Sequence, residues 1–414
     1  FRSRAIPVAM VSLRAASLAL LFACAGSEPV ARRPVVGIVA SPLKLPGARS
    51  FDGLSWIWTT YVDSLYDAGA EVVPLLPHST REELETALQQ VDAVLWTGGE
   101  DDPGVHGAKY PDVMMDTLQV IYDHVKAHAM PLWATCQGFQ ALCVLASQDP
   151  KVVVPTYGTI GTAVSLQFTP SAKTSRLLQD APPEVFLELG RRNSTLNFHS
   201  FGVLAGTFLE EKIENFQLLA TDRDSEGQVF ASLMEHSQLP IFASQFHPEL
   251  YYILDPDSSA QTPAVQRAVG ANKYFMRFFV KEAAKNAETD QAHTESPQRI
   301  GEYPLSFPPA GIFGGEGGLF AGKILRGHVW NYTKPVTASE LNAAVAALRS
   351  GGSVAGNGLL GPVDGPWLAR LAVATAGLLT AATLHAWLRR TKPEGEGCAS
   401  AQSPLLADRT VLIA

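Results

Sequence analysis

Cysteine is scarce in this sequence: four occur among 414 residues, Cys24, Cys136, Cys143 and Cys398. They are too scattered for the paired spacing of a zinc site or the framework of a disulfide-rich module. Charge is modest too, at 17% of residues, with Lys+Arg 32 against Asp+Glu 40 and a formal net charge of -8. No basic block interleaves with aromatic residues, so the electrostatic footprint of nucleic-acid binding is missing. No internal repeat is visible. What remains is a chain of ordinary globular balance, 46% hydrophobic, long enough for one large domain or two small ones.

The long apolar runs sit near the two ends. Arg2 and Arg4 precede an apolar stretch over residues 15–23, and Ala23-Cys24-Ala25 fits a small-x-small cleavage site. Residues 1–25 therefore read as a secretory signal peptide, with an apolar N-terminal helix as the plainer alternative. Residues 371–388 contain one ionisable side chain, His385, with Trp367 and Trp387 at the two ends and Arg389-Arg390 following. This pattern predicts a membrane-spanning helix over 366–388, a lumenal body and a short cytosolic tail over 389–414. An Ala-rich buried or amphipathic helix is the alternative. On this reading the body keeps Cys136 and Cys143, placed on one helix where a disulfide between them is geometrically disfavoured. Free thiols in a secretory compartment favour a chemical use for at least one.

Between the ends, strand-like and helix-like segments alternate. Residues 34–40, 71–75, 92–96 and 130–134 are short apolar runs of the kind buried on both faces of a parallel sheet. Residues 54–68 have helical spacing, with Gly69 at the C-cap position. Thr80-Arg81-Glu82-Glu83 is a capping box opening a helix to about residue 90. Further helices are expected over 115–129 and 137–147. This order predicts an α/β fold: a doubly wound, mostly parallel sheet with flanking helices. Shorter strands follow at 163–168, 217–221, 228–235 and 241–245, and a helix over 263–285 closes a domain spanning 34–290. Residues 291–365 are rich in Gly, Pro and Ser and read as a linker or stalk with one helical stretch at 339–349.

The chemistry gathers at one turn. Thr135-Cys136-Gln137-Gly138 joins a strand to a helix in the form of a nucleophile elbow. Such a turn presents its central side chain at the C-terminal edge of the sheet, and the helix N-terminus favours the thiolate. A buried structural cysteine is the alternative for Cys136, and Cys143, without the turn, reads as core. A thiol nucleophile needs a base. Phe246-His247-Pro248-Glu249 follows a strand, with Glu249 placed to orient the imidazole of His247 and stabilise its cation. Gly98-Gly99 ends the third strand and can bring a backbone N–H toward the cysteine, with the N–H of Gln137 as a second oxyanion donor. An ordinary strand-to-helix turn is the alternative for the two glycines.

The Gly-Gly turn, the Thr-Cys-Gln-Gly elbow and Gln245-Phe246-His247-Pro248-Glu249 resemble the class I glutamine-amidotransferase-like hydrolases, and within them the γ-glutamyl hydrolases. The stretch from Tyr61 to Leu75 and the Asn197-Phe198-His199 loop extend the resemblance over roughly 34–287. It implies Cys136 as nucleophile, His247 as base, Glu249 in support, and Gly99 and Gln137 as the oxyanion hole. Tyr61, His199 and Gly98 would line the pocket for a γ-linked glutamate. The implied substrate is a small γ-glutamyl compound such as a folate polyglutamate, with no metal or other cofactor required and no nucleic-acid partner. The implied location is a lysosome, a vacuole or the cell exterior. A homodimer is left open. Ala134 departs from the family pattern, standing where a glycine is usual.

Two other functions fit parts of the sequence: a glutaminase module feeding ammonia to a synthetase, and a membrane-anchored binding protein on an inactive hydrolase scaffold. Two N-glycosylation sequons, at Asn193 and Asn331, fall on the predicted lumenal side.

Overall fold

The computed structural model describes residues 32–42, 53–99, 112–210, 212–254, 262–289, 299–302, 312–313, 323–324, 327–331 and 334–349. The eight-stranded main sheet contains β1 (Val35–Val39), β4 (Glu71–Leu75), β5 (Ala93–Trp96), β6 (Leu132–Thr135), β9 (Gln167–Phe168), β12 (Phe216–Arg223), β13 (Val229–His236) and β14 (Ile241–Ser244). Their order across the sheet is β4-β1-β5-β6-β14-β13-β12-β9. The first five run parallel, and the last three add an antiparallel wing. Smaller sheets use β2 (Ser41–Pro42), β3 (Leu54–Trp58), β7 (Val153–Pro155), β8 (Ile160–Val164), β10 (Thr195–Phe198), β11 (Phe201–Val203), β15 (Ile312–Phe313), β16 (Lys323–Ile324), β17 (Gly327–Asn331) and β18 (Lys334–Val336).

The strands alternate their side chains between two cores. Val36 and Ile38 of β1 join Ala93, Leu95 and Trp133 beneath the helices Thr59–Asp67 and Pro263–Thr289, where Leu65, Phe275 and Phe279 meet them. Val35 and Val39, with Val94, Trp96, Leu132 and Ala134, face the other way, onto Leu84, Leu88, Leu118, Ile121 and Leu142 of the helices Arg81–Leu88, Asp112–His128 and Gln137–Ser147. Both faces of the parallel strands are covered, which is why these strands read as continuous apolar runs. The capping box forms: the Thr80 hydroxyl accepts from the Glu83 N–H at 3.2 Å, and the Glu83 carboxylate accepts from the Thr80 N–H at 2.7 Å.

Three expectations need correction. Residues 54–68 are not one helix: Leu54–Trp58 is strand β3, and the helix starts at Thr59. The run Leu-Ser-Trp-Ile-Trp is buried between strands on both sides, β2 and β17. Residues 163–168 split into parts of two different sheets, with β8 pairing with β10 and β9 with β12.

The third correction concerns 291–365, which is more than a linker. Its strand β17 pairs antiparallel with β3 along its whole length, from Gly327 opposite Trp58 to Asn331 opposite Leu54. Val329 and Trp330 are buried there, and Trp330 enters the core beside Ile57 and Tyr61. Burial of side chains this size is worth roughly 1.5–3 kcal/mol each, which fixes the strand despite the glycine-rich sequence around it. The helix expected at 339–349 is present as Ala338–Arg349.

The proposed signal peptide 1–25, membrane helix 366–388 and tail 389–414 lie outside the described residues. Among the described residues, no helix is long and apolar enough to cross a membrane.

Candidate active site

Cys136 stands between β6 and the helix Gln137–Ser147 with φ 53° and ψ −105°. Its N–H donates to Ser244 O at 2.7 Å and its carbonyl accepts from the Gln140 N–H at 3.1 Å, so neighbours on both sides hold the turn. Gly138 lets the helix press against the end of β5: a Cβ there would lie 2.9 Å from the Trp96 Cβ and 3.0 Å from the Trp96 carbonyl. Ala134 sits within β6, fully buried and in register with Ala243, so its methyl group is accommodated. Cys143, about two turns further along the same helix, is fully buried with its sulfur 3.9 Å from Met234 Sδ. Burial pushes its thiol well above the usual range.

His247 follows β14, and its N–H donates to Leu196 O at 2.9 Å. Its Nδ1 lies 2.7 Å from Glu249 Oε1. Nε2 is buried without another hydrogen-bond partner, and the Cys136 side chain lies against the same ring. Burial alone would push this imidazole down. The negative charges of Cys136 and Glu249 outweigh that and hold its pKa well above the ordinary histidine value. Glu249 is 1% exposed, in the 3-10 turn Pro248–Leu254.

The glycine turn closes the third side. A Cβ at Gly98 would lie 2.8 Å from His247 Cε1, 3.1 Å from Tyr61 Oη and 3.3 Å from Cys136 Cβ, so this one position touches all three residues. Gly99 lies against the side chain of Gln137. The Gly98 N–H donates to the Tyr61 hydroxyl at 2.8 Å. Tyr61 is 1% exposed, and burial, with the Glu249 carboxylate nearby, raises its phenol. It therefore braces the turn from inside the protein instead of lining an open pocket.

His199 is likewise close but engaged. Its Nδ1 lies 3.2 Å from the Thr156 hydroxyl and its Nε2 3.2 Å from Asn197 Oδ1. Burial, with the neighbouring His247, lowers it to about 3, so it stays neutral. The adjacent Phe198 carbonyl is 3.9 Å from Cys136 Sγ. Asn193 is exposed in the bend before β10, whereas Asn331 is half-buried within β17. Among the described residues, no group of three or more His, Cys, Asp or Glu is arranged to hold a metal ion.

Two site residues escape motif reading. The Ser41 hydroxyl, just beyond β1, donates to Gly98 O at 2.6 Å and lies 2.8 Å from the Thr97 hydroxyl. The available signal was position: Ser41 and Thr97 lie at the C-terminal ends of parallel strands, where open α/β sheets bind ligands.

The peptidase C26 family model matches residues 34–249. The gamma-glutamyl hydrolase of Homo sapiens is 29% identical over 275 residues, covering 65% of this chain and 84% of that protein. The gamma-glutamyl hydrolase of Rattus norvegicus is 30% identical over 278 residues, covering 65% and 84%. Gamma-glutamyl hydrolase B of Dictyostelium discoideum is 29% identical over 263 residues, covering 61% and 73%.

Proposed function

The chain belongs to the peptidase C26 family, and on that premise we propose that Cys136, His247 and Glu249 form its catalytic set and that folate poly-γ-glutamates are its substrates. It is a cysteine-type hydrolase of γ-glutamyl bonds. The observation that carries the residue assignment is the contact of Glu249 Oε1 with His247 Nδ1 at 2.7 Å, with the Cys136 side chain interacting with the same imidazole.

The mechanism uses these groups in turn. The Cys136 thiolate attacks the γ-amide carbonyl carbon, forming a C–S bond while the carbonyl electron pair moves onto oxygen. The N–H groups of Gly99 and Gln137 hold that oxyanion, each such donor being worth roughly 2.7–4 kcal/mol. The imidazolium of His247 gives its proton to the leaving amine as the C–N bond breaks. Neutral His247 then takes a proton from water, the resulting hydroxide attacks the thioester, and the C–S bond breaks to return the thiolate. Glu249 holds the ring in place and stabilises its charged form. The steps draw on no metal or cofactor. A glutaminase reading is not favoured, since the curated relatives above are γ-glutamyl hydrolases.

Secretion rests on residues 1–25 and on the sequon at the exposed Asn193. Membrane attachment rests on the sequence pattern of 366–388 alone.

The test sets the purified chain against pteroyl-polyglutamate, γ-glutamyl peptides and glutamine from acid to neutral pH. Release of glutamate or glutamyl peptides from the first is expected, and Cys136→Ala abolishes it. Full hydrolysis by that variant overturns the assignment of Cys136. Ammonia release from glutamine alone overturns the substrate.

A further inference from the structure

We infer that Ser41 is a positioning residue for the oxyanion hole, setting the direction of the Gly99 N–H through its hydrogen bond to the Gly98 carbonyl. The inference rests on the proposed role of Gly99 as an oxyanion donor.

A trans peptide points its C=O and N–H in opposite directions within one plane, and no cis peptide bond occurs among the described residues. The plane between Gly98 and Gly99 is therefore set by whatever holds either end. Ser41 holds the carbonyl end at 2.6 Å. The Gly99 N–H is thereby turned away from Ser41, while Gly99 itself lies against Gln137, the other proposed donor residue. The preceding peptide is fixed separately, because the Gly98 N–H is taken by the Tyr61 hydroxyl. Two glycines have little intrinsic preference for one orientation, so two outside hydroxyls, one on each peptide, supply it.

The hydrogens can be counted. Ser41 and Thr97 each carry one hydroxyl hydrogen, and their oxygens are 2.8 Å apart. Two hydrogens serve three contacts: with Ser41 donating to Gly98 at 2.6 Å, the shortest of them, the Thr97 hydrogen goes either to Ser41 or to Val39 O. The Val39 carbonyl, 2.9 Å from the Thr97 hydroxyl, is that group's alternative acceptor.

Ser41 is itself held from behind. It pairs with Trp56 of β3, which pairs with Val329 of β17. The Trp56 indole N–H also donates to Pro42 O at 3.2 Å. The outer strand of this row lies beyond residues 34–249, the stretch the family model matches.

The experiment compares wild type, Ser41→Ala, Ser41→Thr and Thr97→Val on a γ-glutamyl anilide, alongside the rate of Cys136 alkylation by iodoacetamide. Alkylation displaces iodide at a saturated carbon and needs no oxyanion hole. Ser41→Ala is expected to lose about 10- to 100-fold in kcat, with KM and alkylation rate within about two-fold of wild type. Ser41→Thr restores the donor and most of the rate. Thr97→Val, which keeps Ser41 in place, shows a smaller loss of kcat in the same direction and serves if Ser41→Ala does not fold. An unchanged kcat in the folded Ser41→Ala variant overturns the inference, as does a parallel loss of alkylation. If Ser41→Ala does not fold, an unchanged kcat in Thr97→Val overturns it. A wild-type protein that is alkylated normally yet leaves the anilide intact would instead overturn the proposed function.

Discussion

Gly98 and His247 approach so closely that no side chain fits between them: a Cβ at position 98 would stand 2.8 Å from the Cε1 of the imidazole. Gly98→Ala must therefore displace the ring, the glycine turn or both. Misplacement of about 1 Å near reacting groups costs on the order of 100-fold, so kcat/KM is expected to fall at least that far with little change in Tm. Steady-state kinetics beside a thermal melt will check this, and near-normal activity would mean that His247 is not held where the structure puts it.

Glu249 acts through His247. Its charge is among the causes that raise the imidazole, so neutralising it lowers the proton affinity of the ring. Glu249→Gln is expected to cost about 10²- to 10⁴-fold in kcat. The sign for pH follows: the thiolate–imidazolium pair is lost when the ring deprotonates, so the alkaline limb of the kcat/KM profile moves to lower pH. An unmoved limb would detach Glu249 from the titration of the pair.

Asp222 gives the fold a pH dependence unrelated to catalysis. It is 7% exposed, its Oδ2 has no hydrogen-bond partner, and burial raises it from 3.8 to about 7, against a lowering bond from the Arg223 N–H. The folded chain holds this proton more tightly than the unfolded one. The associated stability is present below about pH 4 and lost as pH rises through 7, amounting to at most about 4 kcal/mol. Asp222→Asn should flatten that loss, so that Tm falls less between pH 5 and pH 8 than in wild type. Identical pH slopes for the two proteins would contradict it.

Trp330 separates a docked strand from a flexible stalk. It is fully buried in the core beside Ile57 and Tyr61. Trp330→Ala should destabilise the chain by about 3–5 kcal/mol in denaturant titration. A stalk residue would cost almost nothing.

Much of this was legible in the sequence where the signal was local. The elbow at Cys136 and the strand-His-Pro-Glu run at His247 each declare their geometry within a few residues, and Thr80 with Glu83 marked a helix start. The misreadings have a common cause. Leu54–Trp58 is a short apolar run that fits a helix or a strand equally well, and its partner β17 lies far along the chain in a glycine-rich stretch. Ser41 belongs to no motif because its target is the Gly98 carbonyl, and backbone partners leave no trace in residue type. Tyr61 and His199 were expected to line the substrate pocket, and their hydrogen bonds to Gly98, Thr156 and Asn197 became visible only in three dimensions.

The backbone at Cys136, at φ 53° and ψ −105°, inverts a familiar rule of protein engineering. Glycine is ordinarily the less stable replacement, by roughly 0.5–1 kcal/mol relative to alanine in regular structure. At this turn an L residue bears strain of about 1–3 kcal/mol that glycine escapes. Of two inactive proteins, Cys136→Gly should melt above Cys136→Ala. A search for heat resistance alone would therefore tend to erase the nucleophile, and only selection for turnover keeps sulfur at that corner.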